Sequence, residues 1–182
     1  MRKLIEITHM SLGGAIGPTL EWAMPYLGDE HQAYANKNLF NADALVLGRR
    51  TYEGLSAAYT TMPSSPFVDR MNSIPKYVAS NTRQHLGWNS TVIKGDVAKF
   101  IARLKKESGK QLIKYGNGPL DAVLMKEGLI DEFHILLAPV AVGVGQHMFE
   151  SITNSPALHL AHRTAFKNGV VLLIYTPASM PS

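Results

Sequence analysis

The chain has no cysteine, and this absence excludes disulfide bonds, thiolate metal ligands and a thiol nucleophile. No apolar run approaches the roughly 20 residues that cross a bilayer, and the short run at the start is broken by Glu6, which argues against a secretory signal. Basic residues exceed acidic ones by only 18 to 14 and form no stripe with interleaved aromatics. We therefore expect a cytoplasmic protein that binds neither membrane nor nucleic acid.

Length and apolar content predict one folded domain over residues 1–182, because 46% of the residues are hydrophobic. Most of the short apolar runs are continuous rather than alternating, which is typical of strands covered on both faces. The predicted strands are Leu4 to Ile7, Ala44 to Leu47, Tyr77 to Ala79, Thr91 to Ile93 and Gln111 to Tyr115.

Two segments between these runs have helical character. The segment from Asp96 to Lys106 repeats its apolar residues at helical spacing, starts with a residue that can cap a helix, and is followed by Gly109. The segment from Pro119 to Glu127 starts with proline, which suits a first turn, and Gly128 suits its end. Strands that alternate with helices predict an α/β fold with a mostly parallel sheet.

The last third of the chain has a hairpin signal. Ile130 to Ala138 is a predicted strand, and two further strand-like runs, Leu158 to Phe166 and Val170 to Tyr175, flank Lys167-Asn168-Gly169. Asn-Gly between two strands favours a hairpin, because both residues tolerate positive φ. The sequence thus predicts a mixed, mostly parallel sheet flanked by helices, with an antiparallel hairpin at its C-terminal end.

Three of the predicted strands end in glycine or small polar residues. Gly48-Arg49-Arg50-Thr51 starts a helix, where free backbone N–H groups and the helix dipole attract anions. Gly116-Asn117-Gly118-Pro119 repeats this arrangement, and Ser80-Asn81 ends a third strand. Each segment by itself is equally compatible with an ordinary turn that carries surface side chains. Two glycine turns at helix starts favour a phosphate-bearing ligand, since ligands bind at the carboxyl ends of such strands.

The three segments together resemble the dihydrofolate reductase superfamily. The run Gly48 to Glu53 is similar to that family's Gly-Arg-x-Thr-Trp-Glu motif. The resemblance implies a dihydrofolate-reductase-like fold and NADPH as cofactor, with Arg49 and Arg50 at the 2′-phosphate and Thr51 near the pyrophosphate. It also places Ile16-Gly17 in the loop that covers the nicotinamide. The implied cofactor-binding residues are Ile16, Gly17, Gly48, Arg49, Arg50, Thr51, Ser80, Asn81, Gly116, Asn117, Gly118 and Pro119.

A closer resemblance, over nearly the whole chain, is to the C-terminal reductase domain of the bifunctional riboflavin-biosynthesis deaminase/reductase and to its stand-alone bacterial relatives. The matching segments are Arg2 to Leu4, Trp22 to Tyr26, Ala42 to Glu53, Leu129 to Glu132, and Pro139-Val140 through Gly143, Gly145 and Phe149. The resemblance implies a homodimeric, NADPH-dependent oxidoreductase that transfers a hydride to a small heterocyclic or sugar-linked substrate. The nearest family activity is reduction of 5-amino-6-(5-phosphoribosylamino)uracil. Dihydrofolate reduction and non-catalytic NADPH binding are the alternatives.

The substrate side departs from this family at one residue, because Gly13 stands where the family has an aspartate. A carboxylate accepts hydrogen bonds from substrate groups, so Gly13→Asp is expected to improve reduction of the riboflavin intermediate. His9, at the end of the first strand, is a candidate proton donor. Glu21 and Trp22 are further candidates on the substrate side.

Two other sets of residues have competing interpretations. Asp29 and Glu30 lie near the expected substrate edge, where one of them binds the substrate or both cap a helix. The seven histidines include no His-x-x-x-His pair on a helix, and His159 and His162, three apart on a presumed strand, are expected to face opposite sides. The sequence therefore predicts no metal site.

Overall fold

The computed structural model of the chain describes residues 1–17, 19–82, 85–153 and 155–178, and within these residues eight strands form one sheet. The strands are β1 (Leu4–Ser11), β2 (Ala42–Gly48), β3 (Lys76–Ala79), β4 (Ser90–Ile93), β5 (Gln111–Tyr115), β6 (Glu132–Ala138), β7 (Leu158–Ala165) and β8 (Val171–Pro177). The helices are α1 (Thr19–Ala23), α2 (Asp29–Phe40), α3 (Arg49–Tyr59), α4 (Pro66–Ser73), α5 (Val97–Lys106) and α6 (Pro119–Lys126), with a 3₁₀ turn at Met24–Tyr26. None of these helices is long and apolar enough to cross a membrane.

The sheet has the strand order β4-β3-β2-β5-β1-β6-β8-β7. From β4 to β6 neighbouring strands are parallel, whereas β8 is antiparallel to β6 and β7 is antiparallel to β8. The predicted fold class is therefore confirmed as a mixed, mostly parallel sheet with helices and a C-terminal antiparallel hairpin. The parallel strands all point their carboxyl ends to one edge of the sheet, which we call the carboxyl edge.

Both faces of the sheet are covered, as the continuous apolar runs of β1, β2 and β5 predict. On one face Leu45 and Ile113 belong to a buried cluster that includes Leu39 of α2 and further residues of α3 and α4. On the other face Val46 packs in a second cluster with Ile101 of α5 and with residues of α6. Successive residues of a strand thus serve different layers of the core.

The first residues of α5 and α2 show when the local sequence predicts a helix cap and when it does not. Asp96 caps α5 as predicted, because its Oδ1 accepts the Lys99 N–H at 3.0 Å. The N-cap of α2 is instead Gly28, so Asp29 and Glu30 lie in the first turn and do not cap the helix. Their carboxylates are still favourable there, since the helix N-terminus carries a partial positive charge.

The C-terminal hairpin differs in two details from the sequence-based expectation. In its turn Gly169 has positive φ (+88°) but Asn168 does not, and the Gly169 N–H donates to the carbonyl oxygen of Phe166 at 3.0 Å. A bulge in β7 just before His162 shifts the register. His159 and His162 therefore pair with residues two apart on β8 and face the same side, because the extra residue of a bulge reverses the alternation.

Candidate active site

The β2–α3 turn lies at the carboxyl edge. The buried strand β2 ends at Gly48, which is the N-cap of α3 and provides no side-chain cap. A Cβ built on Gly48 would meet nothing within 4 Å among the described residues, so the approach to the first N–H groups of α3 is open. These N–H groups and the helix dipole attract an anion.

The β5–α6 turn touches the β2–α3 turn. Gly116 has φ +73°, and a Cβ placed on it would lie 3.2 Å from Oγ1 of Thr51. The Gly116 N–H donates to the carbonyl oxygen of Ile7 on β1 at 3.1 Å, and the Gly118 N–H donates to Asp121 Oδ2 at 2.6 Å. The two glycine turns that the sequence singles out are therefore neighbours. This proximity is required if one phosphate chain is to contact both turns.

Asn117, at the centre of the β5–α6 turn, joins that turn to two other elements. Its Nδ2 donates to Oε1 of Glu6 on β1 at 2.9 Å. Its Oδ1 accepts the N–H of Phe149, in the segment that follows β6, at 3.0 Å. The asparagine thus holds the turn in place with both ends of its amide. The sequence offers no signal for either contact, because both partners are distant along the chain.

The end of β3 lies beside the β2–α3 turn. In the parallel register Ala79 is opposite Gly48. The next residues, Ser80 and Arg49, therefore both lie at the carboxyl edge, one after each strand. Asn81 comes next and is exposed. The structure therefore brings together the three segments that the sequence analysis identifies.

Arg49 is held by a carboxylate. Its Nη1 donates to both oxygens of Glu53, one turn further along α3, at 3.1 and 2.9 Å, while Arg50 is exposed. Both partners are more than a third exposed, and an exposed pair at this spacing is worth about 0.3–0.5 kcal/mol. A charge-assisted hydrogen bond to phosphate is worth about 1.5–3 kcal/mol. An anionic ligand at this turn can therefore replace Glu53 as the partner of Arg49.

Two loops pack against each other beyond β1 and β6. We call residues 12–17, which follow β1, the first loop, and residues 139–149, which follow β6, the second loop. The Ile16 N–H donates to a carbonyl oxygen of the second loop at 2.9 Å. Gly145 of the second loop has φ +100°, and a Cβ there would lie 2.6 Å from the carbonyl oxygen of Gly17. Ile16 and Gly17 thus lie at the carboxyl edge and are held there by backbone contacts.

Gly13 is in close contact with the second loop. A Cβ on Gly13 would lie 2.2 Å from the carbonyl oxygen of Val142. Ser11 holds this contact in place, because its hydroxyl donates to the same oxygen and accepts the Ala15 N–H, both at 3.0 Å. An aspartate at position 13 has no room unless the second loop shifts, and we therefore expect Gly13→Asp to lower activity rather than improve it. The glycine is required because two backbones pack against each other.

His9 contacts a second imidazole, that of His31 on α2. The two Nε2 atoms are 2.9 Å apart, within hydrogen-bond distance, and the ring centroids are 5.0 Å apart. Burial and, to a lesser extent, the charge of His31 together lower the pKa of His9 to about 4. Burial also lowers the pKa of His31. At neutral pH both rings are therefore uncharged, one of them donating and the other accepting.

The remaining candidates on the substrate side have other positions. Glu21 is exposed, and Trp22 packs with Ala138 at the end of β6, its buried indole N–H lacking a partner in the described part of the chain. Glu30 accepts the N–H of Lys167 in the hairpin turn at 2.6 Å. Among the described residues no group of three or more histidine, aspartate and glutamate side chains could hold a metal ion. His9 is thus the candidate with an acid–base partner near the turns.

Comparison with known sequences identifies relatives of the chain. The profile of the RibD C-terminal domain family matches residues 2–172. The chain is 29% identical over 174 residues to the uncharacterized protein YwjB of Bacillus subtilis (strain 168), covering 94% of this chain and 96% of that protein. It is 27% identical over 138 residues to the uncharacterized protein YyaP of the same organism, covering 73% of each.

Comparison with solved structures identifies proteins of the same fold at low identity. A candidate riboflavin biosynthesis protein from Shewanella sp. PV-4 gives a TM-score of 0.76 at 22% identity, covering 97% of this chain and 99% of that chain. Dihydrofolate reductase from Enterococcus faecalis complexed with NADP(H) gives 0.65 at 17% identity, covering 97% of each. The diaminohydroxyphosphoribosylaminopyrimidine deaminase/5-amino-6-(5-phosphoribosylamino)uracil reductase from Thermotoga maritima gives 0.67 at 10% identity, covering 97% of this chain and 57% of that chain.

Proposed function

Because the chain belongs to the RibD C-terminal domain family, we propose that it is an NADPH-dependent oxidoreductase that transfers a hydride to a small heterocyclic or sugar-linked substrate. The observation that carries this proposal is the contact between Thr51 on the β2–α3 turn and Gly116 on the β5–α6 turn. It puts two helix starts side by side at the carboxyl edge, where the partial positive charge of both helices attracts the phosphates of a dinucleotide.

Positive charge and open space at the carboxyl edge support this cofactor. The β2–α3 turn leaves open space against its backbone. Arg49 and Arg50, with Ser80-Asn81 at the end of β3, would hold the 2′-phosphate, while Thr51 and residues 116–119 would hold the pyrophosphate. The first loop would cover the nicotinamide with Ile16 and Gly17. When bound, NADPH supplies the hydride, and the protein supplies position and charge.

Reduction of a carbonyl or imine carbon also requires a proton at the heteroatom, and we assign its delivery to the His9–His31 pair. His9 lies two residues beyond Ile7, whose carbonyl oxygen accepts the Gly116 N–H, and this separation is about 7 Å along a strand. The pair therefore lies near the turns but beyond the phosphate site. Protonated once, it can give one proton to the heteroatom as the hydride reaches the carbon, and it then returns to two neutral rings.

As substrate we propose 5-amino-6-(5-phosphoribosylamino)uracil, which is named for the Thermotoga maritima reductase of the same fold. Dihydrofolate is the second candidate, because a dihydrofolate reductase also shares the fold. NADPH binding without turnover would follow if Gly13 marked a lost substrate site. The packing of Gly13 against Val142 explains this glycine by backbone contact alone, so we favour a working enzyme.

Two measurements on the wild-type protein test this proposal. Fluorescence titration with NADPH measures cofactor binding, and NADPH oxidation with each of the two substrates measures turnover. We expect NADPH to bind and the uracil derivative to be reduced faster than dihydrofolate. Binding without oxidation of either substrate would favour the non-catalytic alternative. A protein that does not bind NADPH would contradict the proposal as a whole.

A further inference from the structure

A cluster of three ionisable side chains is buried beneath the β5–α6 turn. Glu6 on β1, Lys114 on β5 and Asp121 on α6 are 1%, 2% and 0% exposed. Glu6 and Lys114 are opposite each other in the parallel register of β1 and β5. We call these three residues the acid–lysine cluster.

The acid–lysine cluster holds every residue of the turn. Lys114 Nζ donates to the carbonyl oxygen of Gly116 and, at 2.8 Å, to Asp121 Oδ2. The same aspartate oxygen accepts the N–H of the α6 N-cap at 2.6 Å. Glu6 Oε1 accepts the side-chain amide of Asn117 at 2.9 Å. The turn assigned to the cofactor phosphates is therefore positioned from within the core.

Two carboxyl oxygens of the cluster lack a hydrogen-bond donor. Glu6 Oε2 and Asp121 Oδ1 are both buried, and neither accepts a hydrogen bond from any described residue. Lys114 Nζ lies 2.8 Å from Asp121 Oδ1 as well, but its hydrogen bond is directed to Oδ2. The two carboxyl groups bind neighbouring residues of the turn, Glu6 at Asn117 and Asp121 at Gly118. Ionised carboxylates only accept hydrogen bonds and cannot satisfy one another, whereas a single proton between them satisfies both.

We propose that Glu6 is a protonated carboxylic acid in the native protein and donates its Oε2 proton to Oδ1 of Asp121. One lysine cation then faces one aspartate anion, and the cluster carries no net charge beneath a turn that binds phosphate. With both acids ionised, the cluster would carry one net negative charge there and would repel the ligand. Glu6 is thus a positioning residue, because its Oε1 holds the Asn117 amide of the turn and its proton keeps the site attractive to an anion.

The groups that face Glu6 are consistent with this protonation. Burial raises the pKa of Glu6 well above its ordinary value, and the Asp121 carboxyl raises it further, whereas Lys114 and the Asn117 amide lower it. On β1 itself the Thr8 hydroxyl donates to Glu6 Oε1 at 3.1 Å. On β6 the register partner of Glu6 is an uncharged phenylalanine. Lys114 gives the largest opposing effect on this pKa, but burial outweighs it, and Asp121 shares the same ammonium group.

The proton on Glu6 links ligand binding to pH. A phosphate ligand favours the neutral cluster, so its binding raises the pKa of Glu6 further and takes up a proton where Glu6 is partly ionised. We therefore expect NADPH affinity to fall as the pH rises through the Glu6 pKa. The identity of the ligand in this argument rests on the proposed function, whereas the protonation of Glu6 does not.

Infrared spectroscopy with Glu6→Gln tests the protonation without any ligand. Glutamine imitates the protonated acid, because its Nε2 can donate to Asp121 Oδ1 while its Oε1 accepts from Asn117. We expect a carboxylic-acid C=O band in the wild-type protein at neutral pH and no such band in Glu6→Gln. Asp121→Asn should also lack the band, since its amide can donate to an ionised Glu6. A wild-type protein without the band, or a band that persists in Glu6→Gln, overturns the proposal.

NADPH titration over pH tests the positioning role. We expect wild-type affinity to weaken about tenfold between neutral and alkaline pH, and Glu6→Gln to keep its neutral-pH affinity throughout. Glu127→Gln, which changes an exposed acid just after α6, is the matched control and should follow the wild type. Parallel declines in wild type and Glu6→Gln overturn the positioning role. A wild-type protein that binds no NADPH at neutral pH contradicts the proposed function instead, and the infrared result then decides on Glu6.

Discussion

Arg49 and Glu53 are joined by two hydrogen bonds, at 3.1 and 2.9 Å, on the helix whose first turn we assign to the 2′-phosphate. The pair is exposed and i,i+4 in sequence, which makes its contribution to stability small. The pair matters for ligand binding, because a phosphate that binds Arg49 must take the place of the Glu53 carboxylate. Selectivity for a phosphorylated cofactor then depends on the difference between two charge-assisted contacts of the same guanidinium.

Arg49→Ala is expected to weaken NADPH binding by roughly 10- to 150-fold, because it removes a charge-assisted contact worth about 1.5–3 kcal/mol. NADH, which lacks the 2′-phosphate, should bind almost unchanged. Fluorescence titration with both cofactors measures the two affinities. Lys106→Ala, which removes an exposed cation at the far end of α5, is the control. Equal losses for NADPH and NADH would contradict the assignment of Arg49.

Gly48→Ala tests close approach of the ligand without disturbing the fold. Its φ is −73° and a new Cβ meets no described atom within 4 Å, so the free energy of unfolding should change by less than about 0.5 kcal/mol. NADPH affinity should fall roughly tenfold, because the methyl group takes the space against the helix start. Gly54→Ala, inside α3 with equally open space, is the control and should stabilise the helix by about 0.5–1 kcal/mol. Unimpaired NADPH binding by Gly48→Ala would exclude close approach there.

Gly13→Ala is expected to destabilise the protein by about 1–3 kcal/mol, because the new Cβ would lie 2.2 Å from the carbonyl oxygen of Val142. Gly13→Asp should be at least as destabilising and should lower turnover. Thermal unfolding measures the effect on stability. Gly17→Ala, in the same loop with no described atom within 4 Å of its new Cβ, is the control for stability. An unchanged melting temperature in Gly13→Ala would show that the second loop can shift without loss of stability.

How far the sequence predicts this site depends on whether a contact is local. Gly48 and Gly116 each follow a buried strand and precede a helix, so a few neighbouring residues suffice to place both turns at one edge. The contact of Gly13 with Val142 has no such signal, because it forms only after the segments following β1 and β6 come together. From the sequence, a glycine at a position where the family has aspartate suggests a lost substrate contact. The structure explains the glycine by the packing of two backbones.

The edge strand β7 predicts association of two copies. Nearly all of its residues are exposed, and it pairs only with β8 among the described strands, which leaves one row of backbone groups unpaired. We expect sedimentation to show a homodimer, of twice the 20.0 kDa chain mass. Leu160→Glu, at a side chain 37% exposed, should weaken it, whereas Met62→Glu, in the loop after α3, should not. A 20.0 kDa species alone at micromolar concentration would contradict the dimer.

The lowered pKa of His9 makes stability depend on pH in one direction. Its native value of about 4 lies below the ordinary 6.5, so between these values the unfolded state binds more protons than the native state. The free energy of unfolding therefore falls as the pH falls through this range. His9→Gln should flatten the slope in chemical denaturation measured over this range. His31 and His134, whose pKa values are also lowered, retain their own contributions, so some slope remains.

The assignment of the His9–His31 pair as proton donor also predicts an effect on kcat. His9→Gln should lower kcat by about 10²–10⁴-fold, the usual effect of losing a general acid, and leave the NADPH dissociation constant almost unchanged, because His9 lies beyond the phosphate turns. Since the protonated pair is the donor, wild-type kcat should decline as the pH rises above the pKa of the pair. His31→Gln leaves the burial of His9, the main cause of its lowered pKa, and removes the smaller cause, the charge of His31, so this decline should move slightly to higher pH. If the pH dependence of kcat is the same in His31→Gln as in the wild type, His9 acts without its partner. If His9→Gln loses NADPH binding, His9 belongs to the cofactor site instead.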